Sequence, residues 1–191
     1  MTRRIPIVSS LVVLAAVAIM IALGFWQLQR KAEKEALLAQ YGQALALRTD
    51  VPWPVKPADR ARALYRHAAV TCARVSGIDA IAGRARDGRS GWAHVARCAL
   101  ANGGTADVAL GWSEGLDSPA WKGGPVTGII GPAGRNIRLI ADVPPAGLAA
   151  LAPPDPANVP NNHLSYAIQW FAFAATALVI YVLALRKPRR S

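Results

Sequence analysis

The chain has 191 residues, 53% of them hydrophobic, with 22 basic against 11 acidic side chains and a formal net charge of +11. That length allows one ordinary domain with something left over, and the charge alone would suggest a nucleic-acid partner. Its distribution excludes one: Arg3, Arg4, Arg186, Lys187, Arg189 and Arg190 flank two uncharged apolar runs, all acidic residues lie between the runs, and such ends orient a chain in a bilayer.

Residues 5–26 form the first run. Ala22-Leu23-Gly24 has the small-x-small form of a cleavage site. The apolar core nevertheless extends over roughly nineteen residues, longer than the ~7–15 of a cleaved signal peptide, which favours an uncleaved signal anchor. Arginine clusters at both ends predict that both termini face the cytoplasm and that the intervening segment is translocated. Arg30 and Lys31 oppose this only weakly, because a long translocated domain is largely exempt from the charge rule.

Residues 27–47 read as a helix continuing off the membrane, with Leu37, Leu38, Tyr41 and Leu45 at helical spacing. Pro52, Pro54 and Pro57 break it, and Pro57 suits the start of a short helix over residues 58–66. The pattern then changes to period two. Val70, Cys72 and Arg74 mark a strand that Gly77 ends, and residues 92–100 form a second after the turn-like Asp87-Gly88-Arg89-Ser90-Gly91. Asn102-Gly103-Gly104 predicts a hairpin turn into residues 105–112. Strands over 126–130 and 136–143 follow, separated by Gly131-Pro132-Ala133-Gly134. Short strands with turns between them predict a small antiparallel sheet or open barrel.

Residues 144–160, rich in Pro and Ala, form an irregular connection back to the membrane. From Tyr166 to Leu185 no residue is charged and only Gln169 and Thr176 are strongly polar, enough to span a bilayer as a helix. The expected organisation is therefore an N-terminal transmembrane signal anchor over 1–28, a translocated domain over 29–163 and a transmembrane helix over 164–187. The class is an α+β membrane protein: two transmembrane helices flanking a sheet domain with short helices.

Cys72 and Cys98 are the only cysteines, both in the translocated segment, where oxidation is permitted. A structural disulfide between neighbouring strands is the favoured reading, ahead of two unpaired buried cysteines and, third, a copper pair. No Cys-x-x-Cys is present, so neither thiol redox chemistry nor covalent haem attachment is supported. His67 and His94 read as decoration of a strand or helix end, with no zinc-ligand spacing. No Gly-x-Ser-x-Gly and no phosphate-cradling loop occurs, so an enzyme is not expected. Neither span carries an intramembrane charge, which disfavours a transporter.

His163 stands where the second run begins. In a helix starting there, His163, Tyr166 and Trp170 fall at i, i+3 and i+7, on one face at the membrane–water boundary. Two readings stay open: an interfacial residue anchoring or capping the helix, and an axial ligand to haem iron with aromatics packing the macrocycle. Trp26 and Gln27, leaving the first span, belong at the same depth.

Together the two ends resemble the Surfeit-locus-one family. The carrying residues are Leu23-Gly24-Phe25-Trp26-Gln27-Leu28-Gln29-Arg30 and Asn161-Asn162-His163-Leu164-Ser165-Tyr166-Ala167-Ile168-Gln169-Trp170-Phe171. Gly91-Trp92-Ala93-His94-Val95 and Val108-Ala109-Leu110-Gly111-Trp112 match more loosely, with Leu110 where the family places arginine. The resemblance implies a bacterial inner-membrane protein with a periplasmic domain that assists cytochrome c oxidase assembly. It implies transient binding of haem a and transfer to subunit I of a haem-copper oxidase, with haem A synthase as a further partner. His163 maps onto the family's histidine and becomes the expected iron ligand. Gly24, Trp26 and Gln27 are expected to shape the site, with Tyr166 and Trp170 close by. The alternative is a cofactor-free scaffold that stabilises an oxidase assembly intermediate through its periplasmic domain.

Overall fold

The computed structural model describes residues 7–47, 49–145 and 147–186. Arg3, Arg4, Lys187, Arg189 and Arg190, on which most of the expected orientation rests, lie outside the described residues. The chain forms two compact units, one of described residues through Leu38 and from Val159 onward, the other spanning Ala39–Asn158.

The first unit is built from α1 (Ile7–Ala46) as far as Leu38 and from α3 (His163–Arg186). Both are long and apolar enough to cross a membrane. No proline interrupts α1, so it runs unbroken through the expected membrane exit, and Arg30–Glu33 and Lys31–Glu35 pairs support the turns beyond it. Leu11, Val12, Leu14, Ile19 and Phe25 on α1, and Ile168, Phe173, Ile180 and Leu183 on α3, remain exposed. Apolar residues around a whole helix circumference suit lipid, not water.

The covered positions follow a different rule. Among them a series on α1 runs Ser10, Val13, Val17, Met20, Gly24, Gln27, Lys31 and Lys34, and one on α3 runs His163, Ala167, Trp170, Ala174, Ala177 and Tyr181, with Leu23, Leu28 and Phe171 covered beside them. Alternating steps of three and four give a 3.5-residue repeat, which keeps a seam facing a partner helix. Small residues at Gly24, Ala167, Ala174 and Ala177 fit the close approach of helices in lipid. Contacts across the seam run antiparallel: Ser10 bonds the Tyr181 hydroxyl, Gly24 meets Phe171, and Gln27 meets His163.

The second unit holds five strands, β1 (His67–Arg84), β2 (Ser90–Leu100), β3 (Thr105–Ser113), β4 (Gly124–Ala133) and β5 (Asn136–Ala141). They close into a barrel in the order β1-β2-β3-β5-β4. The α+β class holds, but the sheet is neither open nor wholly antiparallel. A two-pair parallel ladder, Val108 with Leu139 and Ala109 with Ile140, joins β3 to β5 and removes the free edges. Alternate residues from every strand, among them Val70, Cys98, Val108, Leu110, Ile130 and Leu139, form the main core. A second cluster holds Ala93, Val95, Ala109 and Trp112 against Leu151 of the returning segment. That segment is pinned by bridges from Ala149 to Trp112 and Leu151 to Ala85.

Three local expectations are corrected. β1 does not end at Gly77: Val75 pairs with Cys98 and Gly77 with Arg97, so Ser76 is a bulge residue, its hydroxyl donating to the Arg97 carbonyl at 3.1 Å. Gly131-Pro132-Ala133 is strand rather than turn, and only Gly134 (φ 63°) and Arg135 turn the chain. Pro132 lies past the last β1 partner of β4, where a missing N–H is tolerated. The helix expected over 58–66 shortens to α2 (Arg60–Ala63) after a 3-10 turn at Pro57–Asp59. The sheet captures Tyr65 and Arg66 instead, since Tyr65 N–H donates to the Ile130 carbonyl and Ile130 N–H to that of Arg66. Tyr65 accommodates this at φ 63°, buried against the Tyr41 ring at 4.7 Å.

Cys72 and Cys98 are joined in a disulfide across the β1–β2 ladder, spanning 26 residues of sequence. Closing a loop of that length restricts the unfolded chain by about 3–4 kcal/mol in the loop-entropy model. Cys72→Ser with Cys98→Ser is expected to lower barrel stability by that amount. Denaturant unfolding followed by Trp112 fluorescence checks it, and an unchanged midpoint would remove the disulfide from the stability argument.

Candidate functional site

His163 opens α3, and Tyr166 N–H donates to the Asn162 carbonyl in the first turn. Across the seam, His163 Nδ1 lies 2.8 Å from Gln27 Oε1. A carboxamide oxygen only accepts, so Nδ1 carries the proton, and in the neutral imidazole Nε2 keeps its lone pair. The imidazole is thereby held in the tautomer that can ligate a metal through Nε2. One turn deeper, Gly24 lets the helices close, because a Cβ there would stand 2.5 Å from the Phe171 ring. Phe171 in turn packs edge-on against Phe25 at 5.4 Å, and Trp170 against Phe173 at 6.1 Å.

Four of the six residues singled out in the sequence therefore lie on the seam: Gly24, Gln27, His163 and Trp170. Trp26 and Tyr166 lie off it and are about half exposed, at 51% and 50%. His163, Tyr166 and Trp170 share one face of α3, but the seam follows the small residues at 167 and 174 and leaves Tyr166 at its edge. Phe171 was not singled out; its position beside a helix glycine in the partner motif was the available signal. Asn161 Oδ1, two residues before His163, is buried without a hydrogen-bond partner, an acceptor left open beside the imidazole in sequence. Among the described residues no three His, Cys, Asp or Glu side chains converge as a metal cluster.

The other histidines sit in the barrel unit: His67 opens β1, at a strand end as expected, whereas His94 lies within β2. His94 is fully buried mid-strand. Ser113 Oγ donates to the Gly115 carbonyl at 2.7 Å, so it must accept from His94 Nε2 at 2.7 Å. That leaves His94 Nδ1 buried with no partner.

His67 donates from both nitrogens, to Asp50 Oδ1 and Asp142 Oδ2, each at 2.6 Å. This doubly donating form is the imidazolium. The Asp142 hydrogen bond, then that of Asp50, holds its pKa above the ordinary 6.5, against a smaller opposing effect of burial. A raised folded-state pKa stabilises the fold fully below the unfolded value and ceases to do so as pH climbs through the folded one. The thermal midpoint of the barrel is expected to fall as pH climbs from the ordinary histidine value of 6.5 through the raised folded one, and His67→Asn to flatten that slope. An unchanged slope in the variant would assign the pH dependence elsewhere.

Residues 14–175 match the model of the SURF1 family. No curated protein matches the chain.

Proposed function

The chain belongs to the SURF1 family, and from that membership we propose that it holds haem a at the outer membrane interface for insertion into subunit I of a haem-copper oxidase. The family is associated with cytochrome c oxidase assembly, and it is a family of assembly factors rather than enzymes. The observation that carries the finer reading is the Gln27–His163 hydrogen bond, which fixes the imidazole with Nε2 free. Haem iron takes a neutral imidazole nitrogen as axial ligand, and metal-binding histidines characteristically donate their other N–H to an orienting acceptor.

The surroundings fit the same cargo. Phe25, Trp26 and Tyr166 are exposed aromatics on the two helices that carry the imidazole, available to cover a flat macrocycle. The open Asn161 Oδ1 supplies an acceptor for a polar substituent. A single protein ligand on a part-buried imidazole grips less firmly than a closed bis-histidine cage, which suits a carrier that must release what it holds. In this reading both termini are cytoplasmic and the barrel is periplasmic, with subunit I as recipient and haem A synthase as donor.

The test is the visible absorption spectrum of detergent-purified protein from cells that make haem a, with His163→Ala purified alongside. Wild type is expected to carry haem a and the variant to lose it. Haem-free wild type from cells shown to contain haem a would overturn the reading in favour of a cofactor-free scaffold for an oxidase intermediate. Haem retained by His163→Ala would keep the carrier and move the ligand elsewhere.

A further inference from the structure

The segment between α1 and β1 carries a groove that plays no part in the haem reading. Val51, Pro52, Trp53, Pro54, Val55 and Ala63 line a cleft of about 500 Å³. Its wall is fixed, because Trp53 Nε1–H donates to the Thr105 carbonyl at 3.1 Å. Val55 at the mouth is 60% exposed. Pro52, Pro54 and Pro57 have no N–H, so this edge cannot take up an added strand through a continuous ladder. Recognition here has to come through side chains.

The charged residues around the cleft are Lys56, Arg62 and Arg66 against a single acid, Asp59. Among the described residues neither Lys56 nor Arg62 has an ion-pair partner within reach. Arg66 donates from Nη2 to the carbonyl and hydroxyl of Thr49, while its Nε is buried with no acceptor. A buried guanidinium donor without an acceptor is incomplete until something supplies one. Asp107 belongs to the neighbouring cavity beyond Trp53 and does not neutralise this set.

We infer that this groove binds an acidic protein segment that inserts a large apolar side chain against Trp53 and Val55 while its carboxylates meet Lys56, Arg62 and Arg66. A free anion would satisfy the cations and leave the apolar wall in water. A purely apolar peptide would bury the cations unpaired, which is costly. Only an occupant with both features completes the cleft, and aromatic and arginine side chains are the residue types that dominate such contacts.

The test uses the full chain in a zwitterionic nanodisc and a fluorescein-labelled peptide of alternating Glu and Leu, titrated by anisotropy at about 150 mM salt to screen loose attraction. Binding is expected to weaken at least tenfold when Lys56→Glu and Arg62→Glu are combined. A matching loss is expected when the peptide's leucines are replaced by serine. Both substitutions are on exposed side chains, and an unshifted thermal midpoint confirms that the fold is intact. No binding up to about 1 mM peptide, or equal binding of the serine peptide, overturns the inference. So does displacement of the peptide by an equal concentration of monomeric dihexanoyl-phosphatidylglycerol, which would make a lipid headgroup the occupant. None of these outcomes depends on haem.

Discussion

Under the proposed carrier role, Gln27→Leu is expected to weaken haem a binding by roughly 10–100-fold, the usual cost of losing the group that orients a metal-binding histidine. Leucine keeps the bulk at the seam but removes the acceptor at 2.8 Å from His163 Nδ1. The ring then rotates freely, and its proton is no longer directed to Nδ1. Gln27→Glu restores an acceptor, makes the imidazole more basic, and is expected to bind at least as well as wild type. His163→Ala should lose more than Gln27→Leu, since it removes the ligand and not its support. Titrating apo protein with haem a, followed in the Soret band, ranks the three. Equal affinity of Gln27→Leu and wild type would sink the orienting role without touching the proposed ligand role of His163. Glutamate no better than leucine would show that space at the seam matters and the acceptor does not.

How far the site could be read from the sequence differs residue by residue. The two apolar runs, their lengths and the helical spacing beyond the first are local patterns, and all appear in α1 and α3. The hairpins at residues 86–89 and 101–104 were legible because glycine occupies positive φ at Gly88, Gly103 and Gly104. Gly77 and Gly131 carry the same letter without that geometry, so they read as breaks where the strand only bulges or continues. Closure of the barrel was not legible. It depends on two pairs between β3 and β5, and residues about thirty apart leave no periodic trace of a parallel contact.

The membrane site shows the same division. His163 stood out because a lone imidazole at the start of an apolar run is chemically conspicuous. Its bond to Gln27 spans 136 residues, and only the shared membrane depth pointed to it. Tyr166 shares that face of the helix yet stands at the edge of the seam, because three- and four-residue steps both keep neighbours on one side of a helix. The choice between them was made by the alanines at 167, 174 and 177, which allow the seam to close. Leu110 illustrates a limit of motif matching: it is fully buried in the barrel core, where an arginine would need a partner for its charge.

Gly128→Ala is expected to keep the barrel from folding stably, with a loss above about 4 kcal/mol, beyond the ordinary range for a point substitution. Gly128 sits in mid-β4 and pairs on one side with Ala68 of β1 and on the other with Ala141 of β5. A Cβ there would stand 2.0 Å from the Ile140 carbonyl oxygen and 2.7 Å from its carbon. Those are backbone atoms held by ladders on both sides of β5, so no side chain can turn away to relieve the overlap. Ordinary overpacking costs about 1–3 kcal/mol because side chains and backbone adjust; here the adjustment would separate β4 from β5 and reopen the sheet. Gly77→Ala is the matched control, since nothing lies within 4 Å of the added carbon and its φ is not positive. There the smaller entropy of the unfolded chain should leave stability unchanged or raise it by about 0.4–1 kcal/mol. Parallel denaturant curves for the two variants decide the matter. Equal midpoints would show that β5 can move away from Gly128, and that the barrel is held closed by its core and disulfide without need of this close approach.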